Sequence, residues 1–221
     1  MLARVLEPEV MDTPDDARDY DAMDHSAVNA KFAADFLARW GGRGRVLDVG
    51  TGTAQIPIEL CRRSPTIDVV AVDLADAMIA LARRNVERAG FAARVRVERV
   101  DAKGLPYLPG AFGAVVSNSI IHHIPEPAGA FAGMHAVCAE GGRLFVRDLF
   151  RPPDENTLRL LVATYAAGCN PHQTQLFADS LRAALTVAEV RELVGRLGYA
   201  PDTVQATSDR HWTFAAVRRP G

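Results

Sequence analysis

The chain has 221 residues, of which 48% are hydrophobic and 24% charged, and its formal net charge is −2. That balance is ordinary for a folded globular domain, and it provides no basic surface for nucleic-acid phosphates. The three cysteines form no CxxC pair, which favours reduced thiols in the cytoplasm. The N-terminus is acidic, which argues against a secretory signal, and charges interrupt the apolar runs, which argues against a membrane span.

The predicted elements begin after an aspartate-rich stretch. Residues 1–24 form a segment that is expected to be mobile unless it is tethered. Apolar spacing predicts a helix over 25–40. Strands and helices then alternate: strand 45–49, helix 54–63, strand 67–72, helix 76–89, strand 94–100, strand 112–117, helix 127–139 and strand 143–149. Repeated βαβ units of this length predict an α/β fold whose parallel sheet carries helices on both faces.

The C-terminal part departs from this alternation. Residues 151–185 are helical and partly polar, and they interrupt the strand pattern. Thr186 and Glu189 form a capping box that opens a helix over 186–199. Two last strands, 202–207 and 212–218, are separated only by "SDRH", so they must pair as an antiparallel hairpin.

Three consecutive predicted strands end in a carboxylate. Asp48 closes the first strand, within "VLDVGTGTAQIPIEL", and Asp73 and Asp101 follow the second and third. Ligands of open α/β sheets bind beyond the carboxyl ends of the strands, so these acids are expected at one edge. Gly50 and Gly52 allow a tight turn in which backbone N–H groups approach a ligand.

The details of this motif discriminate between ligands. A dinucleotide fingerprint requires a small residue three positions after Gly52, where this chain has Gln55, and no Gly-Lys-Ser/Thr follows for a phosphate loop. Asp73 has the spacing of a carboxylate that accepts ribose hydroxyls. Asp48 and Asp101 would repel a pyrophosphate but attract a cationic ligand. The alternative is that Asp48 caps a turn and Asp101 solvates a loop.

Four motifs together resemble the class I S-adenosylmethionine-dependent methyltransferases of the small-molecule type. They are "VLDVGTGTAQIPIEL", "VVAVDLADAMIALARRN", "VERVDAKGLPY" and "FGAVVSNSIIHHIPEP", and the resemblance covers roughly residues 25–218. Ala54 replaces the last glycine of the usual G-x-G-x-G. The resemblance implies a Rossmann-like fold with a seven-stranded, mostly parallel sheet ending in an antiparallel hairpin strand. It also implies S-adenosyl-L-methionine as methyl donor and S-adenosyl-L-homocysteine as product.

The resemblance further assigns cofactor contacts and a domain organisation. The implied contacts are Asp48, Gly50, Thr51 and Gly52 at the methionine end; Asp73 at the ribose, with Leu74 beside it; Met78, Asp101 and Ala102 at the adenine; Asn118 and Ser119 near the methyl group; and Tyr20 and Met23 from a lid. Residues 1–24 would form that lid over the cofactor. Residues 25–221 would form a single methyltransferase domain, with 151–185 as a helical insertion that builds the acceptor pocket.

Methyl transfer from a sulfonium is an in-line displacement, so alignment and exclusion of water supply most of the acceleration. A protein base is needed only if the nucleophile carries a proton. His122, His123 and Tyr20 are the catalytic candidates. In the alternative, one histidine caps a short helix, the other lies in solvent, and Tyr20 is incidental to an acidic tail. No metal is predicted, because neighbouring histidines without a spaced carboxylate or thiol rarely chelate one ion.

The insertion and the end of the fifth strand provide candidates for acceptor binding. Tyr165 and Phe177 are predicted to supply apolar walls, His172 a polar contact, and Arg147 a contact to an anionic acceptor. The alternative is a helical hairpin packed on the sheet, with Arg147 and Arg151 in surface solvent.

The sequence therefore predicts a cytoplasmic enzyme that methylates a small molecule. Two alternatives remain: a non-catalytic or regulatory S-adenosylmethionine-binding protein, and a nicotinamide-dependent oxidoreductase. The strand-4 motif "SNSI" lacks the Asn/Asp-Pro-Pro-aromatic run that holds a flipped base, so no nucleic-acid partner is predicted. No membrane partner is predicted either, because charges interrupt the apolar runs. The acceptor atom and the oligomeric state are left open.

Overall fold

The computed structural model describes residues 2–7, 18, 21 and 25–219. Its strands are β1 (Val46–Val49), β2 (Val69–Asp73), β3 (Val95–Arg99), β4 (Phe112–Asn118), β5 (Cys138–Leu149), β6 (Val204–Ala206) and β7 (His211–Val217). Its α-helices are α1 (Ser26–Leu37), α2 (Gln55–Arg63), α3 (Asp76–Arg88), α4 (Ala128–Val137), α5 (Glu155–Tyr165), α6 (Pro171–Ala183) and α7 (Val187–Gly195). Short 3-10 turns span Ile121–His123 and Pro201–Thr203.

The strands form one sheet in the order β3-β2-β1-β4-β5-β7-β6. β1 is parallel to both β2 and β4, β2 is parallel to β3, and β6 is antiparallel to β7. Successive strands are added to one side of β1 up to β3 and to its other side from β4 onwards, so the switch point where α/β sheets bind ligands lies between β1 and β4. The predicted mostly parallel seven-stranded sheet with a closing antiparallel hairpin is confirmed.

The largest difference from the predicted boundaries occurs at β5. The sequence places a helix end at 139 and a strand start at 143, whereas α4 ends at Val137 and β5 begins at Cys138. Gly141 donates its N–H to the Arg218 carbonyl at 2.8 Å, and Arg218 donates to the Gly142 carbonyl at 2.9 Å. This backbone pairing with the far end of the chain makes a strand out of glycines that locally resemble a helix stop.

The chain divides into two units. The larger includes residues within Val10–Asn118, Ala128–Val146 and Ala215–Gly221. Its core consists of the inward faces of α1 to α3 against the first strands. Phe32 and Phe145 meet edge-on with ring centroids 5.1 Å apart, and both are buried. Every residue of β1 is buried, as expected for a central parallel strand.

The smaller unit combines Ser119–Pro127 and Arg147–Phe214 with described residues 2–7. Its apolar cluster includes Leu149, Leu158, Leu161, Ala178, Leu181 and Ala184. The region 151–185 forms α5 and α6, and the predicted Thr186–Glu189 capping box is confirmed at α7. No helix among the described residues is long and apolar enough to cross a membrane.

Candidate functional site

The loop between β1 and α2 bends tightly through left-handed backbone conformations. Gly50 has φ +74° and Gly52 has φ +54°, values that glycine adopts without a Cβ clash. The N–H groups of Gly50 and Thr51 both donate to the Val72 carbonyl at 2.8 Å. This pairing attaches the loop to the end of β2.

Ala54 takes the position of the third glycine and has φ +64°. A left-handed residue with a Cβ costs roughly 1–2 kcal/mol. Ala54 is fully buried, so its methyl group recovers about 0.8 kcal/mol, and it avoids the roughly 0.5–1 kcal/mol of backbone entropy that glycine loses. These contributions nearly cancel, which explains why alanine is tolerated here.

The Asp73 carboxylate joins two segments of the site. One oxygen accepts the Gly52 N–H at 2.8 Å, and the other accepts the Ala75 N–H at 3.0 Å, one residue before α3. The sequence predicts Asp73 as a ligand-binding acid. The structure adds that the same side chain fixes the glycine loop relative to the next βα turn.

Asp48 is a buried carboxylate with an unused acceptor. Its side chain is 1% exposed, and among the described residues none donates a hydrogen bond to Oδ2. Burial raises the pKa of Asp48 to about 7; the Thr51 hydroxyl partly offsets this shift and the charge of Asp73 adds to it. A buried acid in this condition favours a cationic neighbour.

A cavity of about 200 Å³ opens above Asp48 in the larger unit. Its lining residues are Asp21, His25, Ser26, Asn29, Asp48, Gly50, Thr51, Thr53, Gln55, Ile56, Glu59, Arg62 and Asn118. Three carboxylates and one guanidinium give this lining an excess of negative charge. The Thr53 hydroxyl and the Asn118 amide oxygen lining it are also buried without a hydrogen-bond partner in the described part of the protein. Three of the four predicted methionine-end residues, Asp48, Gly50 and Thr51, thus line a polar, acidic space.

Asp21 is a site residue that the sequence did not predict. Its Oδ1 accepts hydrogen bonds from the Gln55 amide at 3.2 Å and the Asn85 amide at 2.9 Å, and Asn85 also donates to the Thr53 carbonyl. Gln55, which argues against a dinucleotide, therefore holds an N-terminal residue beside the glycine loop. The predicted lid residues Tyr20 and Met23 lie outside the described residues.

The residues predicted at the adenine also belong to the larger unit. Met78, on the first turn of α3, is buried and clusters with Ala75, and Leu74, predicted beside Asp73, is half-buried. Asp101 accepts the Lys103 N–H at 2.8 Å, and its carboxylate lies 3.1 Å from the Lys103 ammonium. Partial burial opposes ionisation, but these Lys103 contacts lower the pKa of Asp101. Ala102, beside it, is half-buried.

Asn118 and Ser119 follow the switch point at the end of β4. The buried Ser117 hydroxyl donates to the Val49 carbonyl at 2.8 Å and thereby fixes the end of β4 beside β1. Ser119 has φ +58°, a strained conformation for a residue with a Cβ, and its N–H donates to the Arg147 carbonyl. Strain of this kind concentrates at functional sites.

His122 and His123 belong to a buried cluster in the smaller unit. His122 Nδ1 lies 2.5 Å from Asp148 Oδ1, while Glu7 Oε1 lies 3.5 Å from His122 Nε2 and 3.2 Å from His123 Nδ1. The side chains of the two histidines are 4% and 18% exposed, so the expectation that one of them lies in solvent is wrong. Burial disfavours imidazolium, but Asp148 and Glu7 outweigh it and raise the pKa of His122.

The predicted acceptor residues also lie in the smaller unit. Tyr165 is 42% exposed, and its hydroxyl donates a hydrogen bond to the Asp209 carboxylate at 2.6 Å. His172 is exposed on the first turn of α6, whereas Phe177 packs against the unit's apolar cluster. Arg147 Nε donates to the Thr213 hydroxyl at 2.9 Å. The expectation that Arg147 and Arg151 lie in surface solvent is wrong, since both are buried.

A reversed last strand, a glycine loop at the switch point and an acid after β2 define a Rossmann-like methyltransferase. Residues 46–142 match the family profile described as a methyltransferase domain. The chain is 36% identical over 162 residues to a demethylmenaquinone methyltransferase of Thermus thermophilus, covering 73% of this chain and 66% of that protein. It is 33% identical over 189 residues to a malonyl-[acyl-carrier protein] O-methyltransferase of Geobacter sulfurreducens, covering 80% and 67%.

Structural comparison agrees. A Methanococcus maripaludis protein, described as a candidate S-adenosyl-L-methionine-dependent methyltransferase, superposes with a TM-score of 0.76 at 17% identity, covering 98% of both chains. The chain belongs to the class I S-adenosylmethionine-dependent methyltransferases, whose methyl donor is S-adenosyl-L-methionine. The match spans 66% of the length of the demethylmenaquinone methyltransferase, and 45% and 49% of the length of two ubiquinone/menaquinone biosynthesis C-methyltransferases.

Proposed function

We propose that this protein transfers a methyl group from S-adenosyl-L-methionine to a small-molecule acceptor. The observation that carries the proposal is Asp48, a buried carboxylate beneath a left-handed glycine loop, with one oxygen that no described residue satisfies. A ligand with an ammonium and a sulfonium, and no phosphate, suits such a site electrostatically. Asp73, at the end of the neighbouring strand, has the spacing from the glycine loop of a carboxylate that accepts ribose hydroxyls.

When bound, the donor would supply an activated methyl group. The chain's own contribution is to bind and orient it. Asp48 and the Gly50–Gly52 loop would hold the methionine end, and Asp73, with Leu74 beside it, the ribose. Met78, Asp101 and Ala102 would hold the adenine, with Asn118 and Ser119 near the methyl group. In-line displacement depends mainly on alignment, so a rigid loop fixed by Asp73 and by Val72 is suited to it.

The acceptor class is proposed from the relatives and the charge. One relative is a demethylmenaquinone methyltransferase and another a ubiquinone biosynthesis O-methyltransferase, so a reduced quinone precursor is the first acceptor to test. Tyr165, Phe177, His172 and Arg147 stay predicted acceptor contacts, and residues 151–185 stay the predicted pocket insertion. A net charge of −2 supports a small molecule over a nucleic acid. Three unpaired cysteines support a reducing compartment such as the cytoplasm.

The test combines binding with turnover. Purified protein is expected to bind S-adenosylhomocysteine and not NADH in calorimetry, and to transfer radiolabelled methyl groups to a demethylated quinol. Methyl-donor binding without transfer to any acceptor of a quinol, catechol and carboxylate panel would favour the non-catalytic binder. NADH binding without uptake of S-adenosylhomocysteine would favour the oxidoreductase and contradict the proposal.

The catalytic roles of His122, His123 and Tyr20 remain predictions. If a histidine removes a proton from the acceptor, His122→Gln or His123→Gln should lower kcat by roughly 100-fold or more while the donor KM changes little. His135→Gln, which changes a half-buried histidine of α4 outside the predicted site, is the matched histidine control for general folding effects. Full turnover by both variants would mean that the acceptor needs no base from this pair.

A further inference from the structure

The Glu7, His122 and His123 side chains bring three ligand atoms to one point. Glu7 Oε1, His122 Nε2 and His123 Nδ1 all lie within 4.8 Å of one another. The histidines are adjacent on the Ile121–His123 turn, yet their ring centroids are only 4.2 Å apart with a 35° tilt, so both rings point to the same side. Glu7 approaches from the N-terminal segment and provides the carboxylate that is missing near the histidines in sequence.

When His122 is neutral and carries its proton on Nδ1, the lone pair of its Nε2 faces a lone pair of Glu7 Oε1. A 2.5 Å separation between His122 Nδ1 and Asp148 Oδ1 requires a proton between them. In the neutral ring, Nε2 then carries its lone pair towards Glu7 Oε1. That Glu7 oxygen is buried and accepts no hydrogen bond from the described residues. A positive ion between these two atoms, either a proton or a metal ion, would stabilise this arrangement.

The separations fit a metal ion better than a shared proton. Zinc–nitrogen and zinc–oxygen bonds of about 2.0–2.2 Å place tetrahedral ligand atoms about 3.3–3.6 Å apart. The observed separations from Glu7 Oε1 are 3.5 Å to His122 and 3.2 Å to His123. A proton held by one hydrogen bond would draw one pair below about 3 Å.

Second contacts orient two of these ligands. Asp148 accepts from His122 Nδ1, and its own position is fixed by the Ile121 and Leu149 N–H groups, each at 2.6 Å. The other Glu7 oxygen accepts the Ser180 hydroxyl at 3.2 Å. Carboxylate–histidine pairs of this kind set the tautomer and raise the basicity of metal-binding histidines.

We propose that Glu7, His122 and His123 bind one divalent ion of the zinc type, with a fourth position open to water or another ligand. Such an ion would join residues 2–7 to the Ile121–His123 turn. The guanidinium of Arg4 already attaches the same segment by donating to the carbonyls of Ile124, Pro125 and Ala183. Coordination and general-base action exclude each other at His122 Nε2, because a coordinated lone pair accepts no proton.

The experiment uses full-length, untagged protein stripped with a chelator and titrated with Co²⁺, which reports coordination by its visible absorption. One equivalent is expected to bind, to give the intense spectrum of a four-coordinate site, and to be displaced by Zn²⁺. Glu7→Gln keeps the size of the side chain and loses the charge. Losing a residue that only hydrogen-bonds to a metal ligand lowers metal affinity by roughly 10–100-fold, so Co²⁺ affinity should fall at least that far here. His123→Gln is the second ligand variant.

Matched controls and a stability readout complete the test. Glu126→Gln and His172→Gln change exposed residues of the same unit and should bind Co²⁺ like the wild type. Zn²⁺ should raise the melting temperature of the wild type but not of Glu7→Gln, since an ion that binds only the native state stabilises it. Absence of stoichiometric Co²⁺ uptake by the wild type, or uptake unchanged in both ligand variants, would overturn the proposal.

Discussion

Asp73→Ala is expected to weaken S-adenosylhomocysteine binding by about 100-fold, or about 3 kcal/mol. The proposed function assigns this carboxylate to two ribose hydroxyls, and a hydrogen bond to a charged group contributes about 1.5–3 kcal/mol. The substitution also removes the acceptor of the Gly52 N–H, which loosens the loop that would hold the methionine end. Isothermal calorimetry with the purified variant measures the loss.

Two further variants separate ligand binding from folding. Asp73→Asn keeps one acceptor oxygen and should give an intermediate affinity. Asp76→Ala removes an acid that is 70% exposed and pairs with Arg99 on the surface, so its effect should stay within about 1 kcal/mol. Wild-type affinity in a folded Asp73→Ala protein would show that the ribose assignment is wrong.

Asp48→Asn is expected to stabilise the ligand-free protein at alkaline pH while weakening donor binding. Burial raises the pKa of Asp48 from 3.8 to about 7. Above that pH the folded protein carries a buried charge that costs on the order of 4 kcal/mol relative to the unfolded chain. Asparagine has no such charge. Urea unfolding of both proteins at several pH values measures the difference.

The sign of the pH dependence follows from proton uptake. Between pH 3.8 and about 7 the folded state binds a proton at Asp48 that the unfolded state releases. The contribution of Asp48 to the free energy of unfolding is therefore complete below pH 3.8 and is lost as the pH rises towards 7. The advantage of Asp48→Asn should be larger at about pH 8 than at about pH 5, by about 2–3 kcal/mol.

Donor binding should change in the opposite direction. Affinity for S-adenosylmethionine should rise with pH through about 7 in the wild type, because ionised Asp48 attracts its positive charges, and this rise should vanish in Asp48→Asn. S-adenosylhomocysteine lacks the sulfonium, so Asp48→Asn should lower its affinity less than that of S-adenosylmethionine. Asp68→Asn alters an exposed acid and serves as control. If Asp48→Asn is no more stable than the wild type at alkaline pH, the raised pKa of Asp48 is contradicted.

Local patterns were enough to predict the sheet and the glycine loop. Alternating strands and helices require a parallel sheet, and "SDRH" is too short for anything except a hairpin. Gly50 and Gly52 adopt the left-handed conformations that their motif predicts, and Asp48, Asp73 and Asp101 belong to one unit. Each of these features is set by residues close together in the chain or by the period of the elements.

The long-range contacts of the side chains were decided only by the tertiary structure. Nothing near Asp21 in sequence indicates Gln55 and Asn85 as its partners, and nothing near His122 indicates Glu7 or Asp148. The sequence leaves Arg147 between an acceptor contact and surface solvent, yet Thr213, from a strand far along the chain, gives it a buried hydrogen-bond partner. The sequence by itself determines the backbone framework, because strand and helix periods and turn residues act locally. Folding determines which polar groups become buried together, because hydrogen-bonding partners come from distant segments of the chain. The strength of each hydrogen bond also depends on how far packing excludes water from it.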